Sequence, residues 1–136
     1  MANKSERFPY LKAPSGLIAM PFLPMRLHGI SLRVDGIGLV DSGAHINAMP
    51  RSLGEQLGFD WHAEGKIFTV GGIVPTTAAR SIKVRCQFGA FKSTVLGFAW
   101  AEDESVPLLL GQVDFFHQFK VCFFMREQAF EVSQVT

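Results

Sequence analysis

The sequence predicts one mainly β domain, of the barrel or sandwich type, with one or two short helices. Short stretches that alternate apolar and polar residues, such as residues 82–88, end at turn residues such as Gly89 and Ala90. Hydrophobic residues form 48% of the 136-residue chain, which is enough to build a sizeable core. Short strands around one core therefore account for most of the chain.

The composition argues against several classes of protein. The formal net charge is +1 and the basic residues are scattered, so neither nucleic acid nor an anionic membrane is indicated as a partner. No apolar run has the length of a signal-peptide core or a membrane span, and Cys86 and Cys122 lack a Cys-x-x-Cys spacing. The histidines, which also lack metal-ligand spacing, are His28, His45, His62 and His117. We therefore expect a soluble, cytoplasmic protein without metal or cofactor, in which a disulfide is not indicated.

The first part of the chain predicts an arm, a hairpin and a helix. Residues 1–20 are polar and then rich in Pro and Gly, which predicts an arm rather than a packed element, followed by a single domain over residues 21–136. Residues 25–34 predict a strand, Asp35 and Gly36 a hairpin turn, and residues 37–41 the returning strand. A proline near its start and a glycine at its end predict a short helix over residues 50–57.

The second part of the chain predicts further hairpins. Residues 66–70 and 82–88 predict a hairpin with a glycine-rich tip, and residues 91–100 predict the strand that returns from the next turn. Residues 106–110 predict a buried strand, and residues 112–117 a short helical turn. A terminal hairpin is predicted around residues 126–128, and its many phenylalanines favour core or a subunit interface.

The stretch 38–44, which reads Gly-Leu-Val-Asp-Ser-Gly-Ala, holds the best candidate for chemistry in the chain. Leu39 and Val40 predict the end of a buried strand, so the Asp41 carboxylate would be held rigidly in the turn that follows. Considered alone, an Asp in an Asp-Ser-Gly turn is more often a turn former that bonds its own backbone than a catalytic acid. Motifs further along the chain favour the catalytic interpretation.

Four features follow one another in a specific order. The Asp-Ser-Gly-Ala turn at 41–44 follows the first hairpin, Gly-Gly-Ile at 71–73 forms a hairpin tip, an alternating hairpin comes next, and Leu-Leu-Leu-Gly at 108–111 precedes a short helix and a Phe-rich strand. In this order and spacing the chain resembles the retropepsin-like aspartic peptidases, above all small bacterial members related to the retroviral proteases. The resemblance covers residues 25–132. It implies an acid-protease β-barrel, closed or partly open, with a flap hairpin.

The resemblance implies an aspartic endopeptidase that acts as a homodimer and hydrolyses peptide or protein substrates between apolar residues. Two close carboxylates that share one proton can activate both a water molecule and the amide. Because the chain has one Asp-Ser-Gly, the second acid would come from another copy across a two-fold axis. Like charges at short range do not ionise together, so activity should favour mildly acidic pH.

The resemblance also implies roles for individual residues. Asp41 would be the general acid and base, Ser42 would bond across the dimer axis, and Gly43 would let the substrate backbone approach. Substrate binding is implied for Ala44, His45, Val70, Gly71, Gly72, Ile73, Pro107 and Leu109. Residues 71–73 match the flap that closes over the peptide. Structural support of the Asp41 turn is implied for Leu110, Gly111 and Gln112.

Three positions depart from the retroviral pattern. Retroviral members often carry an Asp and Arg ion pair where this chain has His45 and Gln112, which predicts a neutral contact between these two side chains. Pro75 at the flap tip predicts a stiffer flap. Two alternatives stay open. One is a catalytically silent member that serves as a dimerisation or peptide-binding module, and the other is a monomeric β domain in which Asp41 is only structural.

Overall fold

The computed structural model describes residues 4–14, 16–63, 65–71 and 76–135. In chain order its elements are β1 Ser5–Pro9, β2 Leu11–Lys12, β3 Ala19–Met20, β4 Phe22–His28, β5 Arg33–Val40, β6 Ala48–Met49, α1 Arg51–Gln56, β7 Ile67–Val70, β8 Thr77–Phe88, β9 Thr94–Ala101, β10 Leu109–Leu110, α2 Phe115–Gln118, β11 Phe119–Phe124 and β12 Ala129–Gln134. The helices are short, with six and four residues. The prediction of a mainly β domain with one or two short helices is therefore confirmed.

Among the described residues, seven strands form one sheet, and six of these strands close into a ring. The order of the seven strands is β4-β5-β10-β6-β9-β8-β7, and β4 also pairs with β8. The pairs β10 with β5 and β6 with β9 are parallel, and the other pairs are antiparallel. Among the described strands β7 pairs with β8 alone and is mostly exposed, so it extends beyond the ring of strands. The ring agrees with the predicted closed or partly open barrel.

The first hairpin turns earlier along the chain than its sequence suggests. β4 pairs over its whole length with residues 33–39 of β5, so residues 29–32 make the turn and Asp35 lies inside β5. The predicted turn there is wrong: strand pairing places Asp35 opposite Arg26, and the two side chains form an exposed ion pair at 2.8 Å. The end of α1 holds the actual turn, since the Ile30 N–H donates a hydrogen bond to the Leu57 carbonyl at 2.9 Å.

The two ends of the chain form a separate sheet in the order β1-β12-β11. Phe8 on β1 stacks on Phe130 of β12 with ring centroids 5.6 Å apart, and Tyr10 packs against the same core. The expectation of an unpacked arm is therefore wrong for Ser5–Pro9. The predicted terminal hairpin is present as β11 and β12.

The core lies inside the ring and under the terminal sheet. Its largest fully buried side chains include Trp100, Phe88, Phe115, Phe119 and Phe130. Helix α1 packs directly on the indole of Trp100, where a Cβ added at Gly54 would lie 2.2 Å from ring atoms. Because Phe115, Phe119 and Phe130 are fully buried, this part of the C-terminal phenylalanine cluster belongs to the core. Within the described ranges, no helix is long and apolar enough to cross a membrane.

Candidate active site

The carboxyl ends of two parallel strands bring two loops together at one edge of the ring. β10 runs beside β5 and places Leu110 next to Val40. The Asp41 N–H donates a hydrogen bond to the Leu110 carbonyl at 3.0 Å. Because Asp41 follows β5 and Gly111 follows β10, both loops leave the sheet at the same edge.

The Asp41 carboxylate is half-buried and is held by its own turn. Its Oδ1 accepts a hydrogen bond from the Gly43 N–H at 2.9 Å, and the Ala44 N–H donates to the Asp41 carbonyl at 3.1 Å. This is the Asx-turn geometry that an Asp-Ser-Gly sequence favours. Oδ2 accepts no hydrogen bond from the residues that the structure describes. One carboxylate oxygen is therefore available to a water molecule or a substrate.

The loop after β10 is tied to the loop after β5. The Gln112 side-chain Nε2 donates to the Ser42 carbonyl at 2.8 Å, and the Gln112 N–H donates to the Ala44 carbonyl at 2.9 Å. A Cβ added at Gly111 would lie 2.5 Å from the Ile46 carbonyl oxygen, so only glycine permits this close approach of two backbones. The position of the carboxylate thus depends on both loops.

His45 is held through its backbone and not through its side chain. The predicted contact between His45 and Gln112 does not form as a hydrogen bond within the described part of the chain, because the Gln112 amide bonds to Ser42. The His45 carbonyl accepts a hydrogen bond from the Val113 N–H at 2.8 Å. Its imidazole is exposed.

A pocket of about 620 Å³ opens beside the Asp41 carboxylate. It is lined by Leu39, Asp41, Gly43, Ala44, His45, Ile46, Ala48, Val70, Gly71, Val106, Pro107 and Leu109. Asp41 and His45 are the ionisable members of this lining, and the other side chains are apolar or absent. A volume of roughly 300–1,000 Å³ with apolar walls and few polar groups is typical of a ligand site.

Most of the predicted site residues meet at this pocket. Those that line it are Asp41, Gly43, Ala44, His45, Val70, Gly71, Pro107 and Leu109. Ser42 is exposed and does not line the pocket, and Leu110 is fully buried behind the turn. Gly72 and Ile73 of the predicted flap, and Pro75 at its tip, lie outside the described residues. Wall residues that the sequence reasoning did not name as site residues are Leu39, Ile46, Ala48 and Val106.

Sequence reasoning also missed Asn47, which is fully buried. Its Oδ1 accepts a hydrogen bond from the Gly111 N–H at 2.7 Å, and its Nδ2 donates to the Gly97 carbonyl and to Asp114 Oδ1, both at 2.9 Å. The Gly97 N–H also donates to Asp114 Oδ1 at 3.2 Å. One side-chain amide thus joins the loops after β5 and β10 to the middle of β9. The available signal was a lone polar residue in the stretch Ile-Asn-Ala-Met.

Within the described part of the chain, neither the buried cysteine nor any group of metal-ligating side chains forms a competing site. Cys86 is fully buried, and its burial, together with the Asp114 carboxylate, raises the pKa of its thiol to about 12. The thiol therefore stays protonated and unreactive near neutral pH. Across the described ranges, no three His, Cys, Asp or Glu side chains are grouped so that they could hold a metal ion.

Comparison with known proteins identifies the fold. No protein-family model matches the sequence, and a search of curated proteins gives no match. Among solved structures, the chain is similar to a crystal structure of a retropepsin-like aspartic protease from Rickettsia conorii, with a TM-score of 0.65 over 98% of this chain and 94% of that chain. The fold is retropepsin-like. At 14% sequence identity the similarity shows the fold alone.

Proposed function

We propose that this chain is an aspartic endopeptidase of the retropepsin type, active as a homodimer on peptide bonds between apolar residues. The observation that carries the proposal is the Asp41 carboxylate, which lies in an apolar pocket with one oxygen free of hydrogen bonds from the described residues. The retropepsin-like fold supports the same assignment, because the similar solved structure is named an aspartic protease.

The proposed mechanism needs two carboxyl groups, and one chain contributes Asp41 to the pocket. In the dimer, the two copies of Asp41 would face each other and share one proton, as is general for aspartic proteases. The ionised carboxylate takes a proton from water while the water oxygen attacks the peptide carbonyl carbon, and the protonated carboxyl donates to the carbonyl oxygen. The carboxyl that took the water proton then donates it to the leaving nitrogen, the other carboxylate takes a hydroxyl proton from the tetrahedral diol, and the carbon–nitrogen bond breaks. No covalent intermediate with the enzyme forms.

The pocket walls would bind the side chains beside the cut bond. Val70, Pro107 and Leu109 present apolar surface next to the carboxylate. Removing apolar surface from water contributes about 25 cal/mol per Å², so apolar side chains gain most from this site. Gly71 directly follows β7 and lines the pocket. The proposed flap would begin at Gly71 and close over the bound peptide.

The test compares the wild-type protein with the Asp41→Asn variant on a peptide library at about pH 4–6, the range that suits a carboxylate dyad. Asparagine keeps an oxygen that can accept the Gly43 hydrogen bond, but it cannot exchange a proton. Cleavage read by mass spectrometry should fall to background, while sedimentation still shows a dimer.

Asp60→Asn is a matched control for this experiment. Asp60 also closes an Asx turn, because its Oδ1 accepts the His62 N–H at 3.0 Å, but it does not line the pocket. Cleavage by this variant should equal that of the wild type. Cleavage that persists in Asp41→Asn, or activity from a strictly monomeric wild-type protein, contradicts the proposal.

A second function is a catalytically silent module that binds peptides or dimerises. The observation in its favour is that the Asx turn already gives Asp41 a structural task. Under this alternative, wild type and Asp41→Asn bind apolar peptides equally and release them intact. Cleavage that the wild type performs and the variant does not excludes this alternative.

A further inference from the structure

We propose that His45 selects substrates that carry an acidic residue close to the apolar residues at the cut bond. This inference rests on the proposed function, because it specifies which peptide the same pocket takes. His45 is exposed and lines the pocket together with Asp41. A glutamate or aspartate side chain of a bound peptide is the chemical group that this imidazole fits.

The imidazole is positioned by a backbone that is bonded on both sides. The His45 carbonyl accepts the Val113 N–H at 2.8 Å, and the carbonyl of the preceding residue, Ala44, accepts the Gln112 N–H at 2.9 Å. These bonds fix the backbone at His45 without using its side chain. Its ring nitrogens form no hydrogen bond with the residues that the structure describes, so a peptide can bond to them without displacing a protein partner.

Within the pocket lining, an acidic peptide group would be attracted at His45 and repelled at Asp41. His45 is the member of the lining that can carry a positive charge. Asp114, on the segment packed against the His45 loop, is engaged by Asn47 and by the Gly97 N–H. An imidazole N–H donates a charge-assisted hydrogen bond to a peptide carboxylate, and an imidazole that carries a positive charge also attracts the carboxylate.

The proposed two-fold symmetry extends this preference to both sides of the cut bond. Each copy of the chain brings one His45 together with one Asp41. One imidazole therefore lies on the amino side of the cut bond and the other on its carboxyl side. The best substrate carries an apolar pair flanked by an acidic residue in each direction.

The experiment uses matched peptides that share one apolar cleavage sequence. Glutamate or its neutral isostere glutamine is placed two, three or four residues from the cut bond, on the amino side, the carboxyl side or both. The readout is the ratio of kcat/KM for the glutamate peptide to that for the glutamine peptide. For wild type we expect a ratio of about fivefold for each favourable glutamate, the size of one partly exposed charge pair.

Two substitutions make the readout specific to the imidazole. His45→Gln should bring the ratio to one, and His45→Glu should bring it below one. His117→Gln removes another exposed histidine that does not line the pocket, and it should keep the wild-type ratio. Higher ionic strength should lower the wild-type ratio, because salt screens exposed charges. Circular dichroism and the midpoint of thermal unfolding verify that each variant is folded.

The outcomes separate this inference from the proposed function. A ratio of one at every position in wild type, or a preference for glutamate that persists in His45→Gln, overturns the role of His45 and leaves the proteolytic function standing. Failure of wild type to cleave any of the peptides overturns both. A glutamate preference that disappears in His45→Gln and persists in His117→Gln supports the assignment.

Discussion

Replacing Asn47 with alanine should destabilise the protein strongly and loosen the candidate site. Asn47 is fully buried, and its amide makes three hydrogen bonds to Gly111, Gly97 and Asp114. The hydrogen-bond partners determine the orientation of the amide, because its oxygen faces an N–H donor and its nitrogen faces two oxygen acceptors. Alanine removes all three bonds and leaves these groups without their Asn47 partner.

The size of the effect follows from the partners that remain. The buried Gly111 N–H loses its acceptor, and such an orphaned donor costs about 1–3 kcal/mol. The bonds to the Gly97 carbonyl and to the Asp114 carboxylate each contribute about 1 kcal/mol or more. The free energy of unfolding should therefore fall by roughly 3–5 kcal/mol, a large part of the about 5–15 kcal/mol of a typical domain.

The assay is urea and thermal unfolding of the wild type and of two variants. Gln134→Ala is the control, because its amide makes one exposed hydrogen bond, to the Lys92 carbonyl at 3.0 Å, and its loss should cost no more than about 0.5 kcal/mol. Asn47→Asp keeps the side-chain volume but replaces the Nδ2 donor, which faces Gly97 and Asp114, with an oxygen. This variant should also lower the free energy of unfolding at neutral pH. The loss should be smaller at acidic pH, where the protonated carboxyl of the new side chain can donate a hydrogen bond.

Two results would refute this reasoning. An Asn47→Ala variant within about 1 kcal/mol of wild type would show that the three bonds carry little net stability. If Asn47→Ala is destabilised at neutral pH while Asn47→Asp is as stable as wild type, the loss in Asn47→Ala comes from the cavity that the shorter side chain leaves.

The remaining predictions concern packing and cysteine chemistry. Gly54→Ala should destabilise by at least about 2 kcal/mol in urea unfolding, because its Cβ would lie 2.2 Å from the rigid, buried indole of Trp100; a near-neutral result would show that α1 can shift away. In native protein near pH 8, a thiol reagent should label exposed Cys122 and leave buried Cys86 unlabelled, with mass spectrometry showing two labels only after denaturation. The pKa of the Cys86 thiol is about 12 in the folded chain, and its ordinary value is 9.0. Between these two pH values the folded chain binds more protons than the unfolded chain. The contribution of this thiol to stability should therefore fall as pH rises above about 9. A Cys86→Ala variant should show a shallower alkaline decline, and an unchanged slope would contradict this.

The local sequence predicts those elements whose signals lie within a few residues. The Asp-Ser-Gly turn forms the Asx bond that its residue types favour, and α1 begins after Pro50 and is followed by Gly58 with a φ of 91°. The hairpin of β8 and β9 turns at Gly89 with a φ of 49°, as turn chemistry predicts. These features need only backbone preferences and hydrogen bonds between near neighbours.

The tertiary structure decided what depends on distant partners. Asp35 looks like a turn residue in sequence, but pairing with Arg26 keeps it in a strand, and the end of α1 sets the turn elsewhere. Asn47 became important only when folding brought Gly111 and Asp114 to its amide. The sequence alone therefore determined the β class and the placement of one carboxylate in a turn, because these depend on local preferences. The pocket lining beside that carboxylate and the hydrogen bonds that hold its loop depend on contacts between segments that are distant in the sequence. No local pattern specifies which segments make these contacts.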